Sequence, residues 1–74
     1  MKLQVLSHLA RVTDASGAEI ADALGATRPA VGMALLRLTR GGLLERTFDP
    51  AHGCHYYALT PRGVARLSFL QRRA

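Results

Sequence analysis

The sequence predicts a mostly α-helical domain with one small β-hairpin, in the order helix, helix, helix, hairpin, helix. Three observations predict it. Apolar residues recur at helical spacing near both ends and through 27–40. Between 43 and 59 that period gives way to two short apolar runs of strand length. Capping and turn residues stand at nearly every junction.

The first helix is read over residues 2–12, with Leu3, Leu6, Leu9 and Ala10 inward and Val5 and Val12 near the edge. Thr13-Asp14-Ala15 interrupts it. Ser16-Gly17-Ala18-Glu19 then fits a capping box, in which two side chains satisfy each other's free backbone N–H groups. A short helix follows with Ile20, Ala21 and Leu24 inward, and stops at Gly25.

Thr27 is placed to cap the next helix, and Pro29 in its first turn needs no intrahelical N–H partner. Val31, Leu35 and Leu38 form its inward stripe, and Gly41-Gly42 is expected to end it in the left-handed conformation that glycine tolerates. Residues 43–48 and 54–59 are the two strands, joined by Asp49-Pro50-Ala51-His52-Gly53. Thr60-Pro61 starts a last helix, in which Val64, Leu67, Phe69 and Leu70 are apolar and Arg72-Arg73 closes the run.

Seventy-four residues are enough for one domain with a modest core. Cys54 is the only cysteine, so no disulfide forms within the chain, and the expected setting is reducing and cytoplasmic. No apolar run approaches the roughly 20 residues needed to cross a bilayer, and MKLQVLSHLARV reads as an amphipathic helix, not a signal peptide. The net charge is +5 and the pI about 10.7. Such a balance favours a polyanionic partner, most often nucleic acid. Nine of the ten basic residues are arginine, but Ala and Leu are also abundant, so a GC-rich genome explains that preference as well as function does.

Two segments carry a resemblance. AEIADALGATRPAVGMALLRLTRGGLLER resembles the core of the winged helix-turn-helix of bacterial transcription factors. HYYALTPRG resembles the second wing strand and following helix start of PadR-type and MarR-type regulators. The resemblance covers about residues 16–67 and implies a three-helix core, a β wing and a C-terminal helix. In such proteins the second helix of the motif enters the major groove of double-stranded DNA while the wing touches backbone or minor groove.

Carried over by position, the resemblance implies a groove-facing set of Thr27, Arg28, Pro29, Gly32, Met33, Leu36, Arg37 and Arg40. Arg28 suits a bidentate contact to guanine. Arg37, Arg40 and Arg46 are read further along one flank and suit phosphates, which position a protein without reporting sequence. Met33 suits a thymine methyl, and Thr27 offers its hydroxyl to a phosphate. Gly32 is unusual, because glycine inside a helix costs about 0.5–1 kcal/mol relative to alanine; close approach to DNA or close packing on another helix would compensate. The wing lacks the arginine such proteins carry near its tip, leaving His52 and His55 as candidate phosphate contacts.

Other clusters favour plain readings. His52, Cys54 and His55 are three possible metal ligands, but adjacent strand residues face opposite ways and no fourth ligand lies nearby. No metal or other cofactor is expected. No basic neighbour clearly activates Cys54, and Tyr56 and Tyr57 read as strand residues, one inward and one outward. No catalytic constellation is present, so an enzyme is not expected. The first helix supplies core, but Val64, Leu67, Phe69 and Leu70 are more apolar surface than the last helix needs to pack on so small a domain. With the family resemblance, which implies a dimer through helices outside the motif, this predicts a homodimer through the first and last helices, at Leu3, Leu6, Val64, Leu67, Phe69 and Leu70. The expectation is a cytoplasmic DNA-binding regulator, a repressor, with no small-molecule effector. The alternative is a winged-helix module that binds another protein through Met33 and Leu36.

Overall fold

The computed structural model describes residues 1–73. Its elements are α1 (Lys2–Arg11), β1 (Ala15–Ser16), α2 (Gly17–Leu24), α3 (Arg28–Arg40), β2 (Leu44–Asp49), β3 (Cys54–Leu59) and α4 (Pro61–Arg73). This is the predicted order, a mostly helical winged-helix domain with a small antiparallel hairpin, plus one short strand. That strand, β1, pairs antiparallel with β3, giving a three-stranded sheet in the order β1-β3-β2. It lies in what reads from sequence as a helix break. Two residues are too few to show an alternating pattern.

Local chemistry sets the junctions. The Ser16 amide donates to Glu19 Oε1 at 2.8 Å, and the Glu19 amide donates to Ser16 Oγ at 3.2 Å, closing the capping box. Gly25 ends α2 at φ 63°, in the left-handed region. Thr27 Oγ1 accepts from the Ala30 amide at 3.4 Å at the start of α3. At the other end of α3 only Gly42, at φ 79°, is left-handed; Gly41 stays right-handed at φ −75°. The expected reversal therefore rests on one glycine, not two.

The core gathers Val5, Leu6 and Leu9 from α1, Ile20 and Ala21 from α2, and Val31, Leu35 and Leu38 from α3. Ala15, Leu43, Leu44 and Leu67 close it. Two of the expected dimer residues are thereby reassigned: Leu6 is fully buried and Leu67 is 6% exposed, so both belong to the core of the single chain. The stripe of α1 is also rotated from its expected position. Val5, expected at the edge, is fully buried, whereas Leu3 is 40% exposed and Ala10 lies outside. Both stripes fit a 3.6-residue period, and the packing of α2 and α4 on α1 selects between them. On α4, Val64 and Phe69 are exposed, and Leu70 is half-buried against the core.

Register fixes the wing. Leu44 opposes Leu59, Arg46 opposes Tyr57 and Phe48 opposes His55. Directly opposed residues share a face, so these six continue the face that Leu44 buries in the core. Glu45, Thr47, Asp49, Cys54, Tyr56 and Ala58 share the other face. Tyr57 packs against the core, the inward member of the tyrosine pair.

Candidate nucleic-acid interface

Helix α3 presents a buried stripe and an open face. Each residue turns about 100° around an α-helix, so Val31, Leu35 and Leu38 inward put Pro29, Met33 and Arg40 outermost. Met33 is 51% exposed. Thr27 and Arg28 stand exposed at the N-terminal end, where the Thr27 hydroxyl is occupied in capping. The wing lies along one flank of this helix. Gly32, Leu36, Thr39 and Arg40 of α3 face Arg46 and Tyr57 across a hollow of about 490 Å³.

Gly32 borders that hollow with nothing over it: a Cβ built there would meet no atom within 4 Å. No helix packs against Gly32, so of the two compensations its helix cost suggested, intramolecular packing is removed. Thr39 was not singled out from the sequence. Its Oγ1 is buried without a hydrogen-bond partner among the described residues, and the residue lines the same hollow. A helical wheel pairs Thr39 with Gly32 at i and i+7, but only the register that lays Arg46 and Tyr57 beside them exposes the relationship.

The expected basic residues do not all converge. Arg40 and Arg46 meet at the wing-side hollow, and Arg28 lies beside His55 and Tyr57 at the helix start. Arg37 turns to the opposite flank of α3, toward α1 and α4, which corrects the placement of all three phosphate-contacting arginines along one side. Among the described residues no lysine or arginine forms an ion pair with a carboxylate; the one acid–base contact joins His52 and Asp49. Among the described residues no carboxylate competes with a partner for these guanidinium groups.

At the wing turn, Asp49 Oδ2 lies 2.6 Å from His52 Nδ1, and Asp49 Oδ1 accepts from the Ala51 amide at 3.0 Å. The hydrogen bond from His52 is the main influence holding the Asp49 carboxyl below its ordinary value, with the Ala51 amide adding to it. His52 is thus engaged at the turn, whereas His55 stacks edge-on to Phe48 with centroids 5.2 Å apart. The two histidines do not converge, and Cys54 faces away from His55. No group of three His, Cys, Asp or Glu that could hold a metal occurs among the described residues.

The family description "MarR family" matches residues 1–53. The chain belongs to the MarR family. Solved structures agree with the fold of this MarR-family domain. One, described as a MarR family transcription regulator, is 30% identical, with a TM-score of 0.89 over 97% of this chain and 48% of its own. PcaV, a transcriptional regulator from Streptomyces coelicolor solved with its natural ligand, is 27% identical, with a TM-score of 0.82 over 89% of this chain and 47% of its own. BpsR of Bordetella bronchiseptica, described by its regulation of DNA binding by 6-hydroxynicotinic acid, is 25% identical, with a TM-score of 0.88 over 96% and 51%. The chain spans about half the length of these structures. No curated protein sequence matches it. The likeness to PadR-type regulators finds no support. Nor does the expectation that an effector is absent, because two of these relatives are described with small molecules. No described helix is long and apolar enough to cross a membrane.

Proposed function

We propose that this MarR-family domain is the DNA-reading part of a cytoplasmic transcriptional repressor, with α3 in the major groove of double-stranded DNA and the wing along the adjoining backbone. The observation that carries the proposal is the open face of α3: unpaired arginines border an uncovered helix glycine. Arg28 meets a base edge at the helix start. Thr27, Pro29, Gly32, Met33 and Leu36 lie along the groove floor, and Arg37, Arg40 and Arg46 hold phosphates. His55 reaches the backbone from the wing, and His52 reaches it from the turn where Asp49 holds its ring.

A symmetric dimer would present two such helices to half-sites about one DNA turn apart. Leu3, Val64, Phe69 and Leu70 remain for that interface once Leu6 and Leu67 are assigned to the core; Leu3, Val64 and Phe69 are exposed on α1 and α4, which pack on each other.

A gel shift with the promoter region upstream of the protein's own coding sequence, at two salt concentrations, tests the proposal. Binding that weakens steeply with salt is the expected result. The second reading, a protein-binding module, has the 51% exposure of Met33 in its favour. Replacing Arg28 and Arg37 with alanine abolishes partner binding in the first case; replacing Met33 and Leu36 does so in the second.

A further inference from the structure

We infer that Lys2, Arg62 and Arg66 join Arg37 in a second phosphate-holding flank, which grips the DNA strand on the side of α3 away from the wing. The inference rests on the DNA-binding reading above and adds three residues that the helix-turn-helix resemblance does not supply. Lys2 comes from α1, Arg37 from α3, and Arg62 and Arg66 from α4. Together they border a hollow of about 470 Å³ whose apolar wall includes Leu38 and Leu43.

No carboxylate lines this hollow, and none of the four cations has an acidic partner among the described residues. Four like charges around one hollow repel one another, and an anion bound among them relieves that repulsion. Backbone geometry helps to fix the arrangement. Gly42 stands at φ 79°, and a Cβ there would lie 3.0 Å from Nη1 of Arg62. The left-handed glycine that ends α3 thus also lets the Arg62 guanidinium lie close over the chain.

The position of the hollow selects the anion. A major groove is about 12 Å wide and 8.5 Å deep, and a helix with its side chains is about 10–12 Å across. A helix seated in the groove therefore has a wall of phosphates rising on each side. Arg28, Arg40 and Arg46 line the wing side of α3. Arg37, Lys2, Arg62 and Arg66 line the other. Two basic flanks on one helix match two strands bordering one groove, and the sequence separations, from residue 2 to residue 66, hide the second flank until the chain is folded.

The test is the salt dependence of duplex binding by the protein and by the variant Lys2→Gln/Arg62→Gln/Arg66→Gln, with thermal unfolding to establish that the variant is folded. Each phosphate contact contributes about 0.9 to the slope of log K against log salt. The variant is expected to bind every duplex more weakly by a similar factor, with a slope shallower by about 2–3. A slope equal to that of the unsubstituted protein overturns the inference while leaving the DNA-binding reading intact. Failure of the unsubstituted protein to bind any duplex overturns both. If the triple variant unfolds early, Lys2→Gln/Arg66→Gln spares Arg62, which lies against Gly42, and its slope must still fall by about 1–2.

Discussion

The Thr60 hydroxyl donates to the carbonyl of Gly42 at 2.7 Å, across eighteen positions of chain. The same oxygen accepts from the Gly63 amide at 3.1 Å, so one side chain caps α4 and ties its start to the turn that leads out of α3. The Thr60 amide also donates to the Leu43 carbonyl at 3.1 Å. Gly63 lies so close to that carbonyl that any Cβ would overlap it. Thr-Pro-x-Gly at 60–63 is therefore a docking device: the threonine caps and tethers, the proline opens the helix, and the glycine lets it sit on the base of the wing.

Thr60→Ala removes both side-chain bonds and is expected to cost about 1–2 kcal/mol. Gly63→Ala forces α4 off the Leu43 backbone and should cost more, since neither partner is a flexible side-chain end. Denaturant midpoints compare the two. A Gly63→Ala protein as stable as the unsubstituted one would show that this contact is not made.

Gly32 allows a test in which stability and binding move in opposite directions. An alanine there has room and removes the cost of a helix-interior glycine, so Gly32→Ala should stabilise the domain by about 0.5–1 kcal/mol. The same methyl would stand between α3 and the groove floor, and affinity for duplex DNA should fall. Thermal melting and a binding titration on one preparation decide it. Loss of stability, or unchanged affinity, contradicts the role given to Gly32.

Leu3 and Leu6 separate surface from core on α1. Leu6→Ala opens a cavity and is expected to cost about 2–5 kcal/mol. Leu3→Ala should stay within about 0.5 kcal/mol for a monomer. If the exposed apolar residues of α1 and α4 form a dimer interface, Val64→Glu/Phe69→Glu should sediment as a monomer at concentrations where the unsubstituted protein does not.

The wing turn carries a pH dependence whose sign follows from Asp49. Its carboxyl titrates below the ordinary 3.8 in the folded state, chiefly through the bond from His52. The stabilisation it gives the turn is therefore present above the unfolded value and is lost as pH falls through the lowered folded value. His52→Ala should move the Asp49 midpoint upward, toward 3.8, in a carboxyl-carbon NMR titration. An unmoved midpoint would mean that the pair does not form in solution.

Much of the fold was legible because its punctuation is local. Ser16 and Glu19, Thr27 with Pro29, and Thr60 with Pro61 each declare a helix start within four residues, and both wing strands fall within a residue of their expected bounds. What sequence did not reveal depends on tertiary choice. Leu3 and Val5 both fit an inward stripe on α1, and only the packed neighbours decide between them. The two residues of β1 acquire strand geometry from β3, not from any pattern of their own. The candidate interface was half legible. Position along α3 named Arg28, Arg37 and Arg40, but the angle around the helix separates Arg37 from Arg40 and brings it to Lys2, Arg62 and Arg66.

Whether α3 seats in a duplex is decided by the salt-dependent binding of double-stranded DNA by the protein and by Arg28→Ala/Arg40→Ala/Arg46→Ala. Binding that falls steeply as salt rises, and that is lost or strongly weakened in a folded triple variant, is the predicted result. Equal binding by the two proteins, or no binding of any duplex in dilute buffer, would contradict it and direct attention to Met33 and Leu36 as a protein-binding surface.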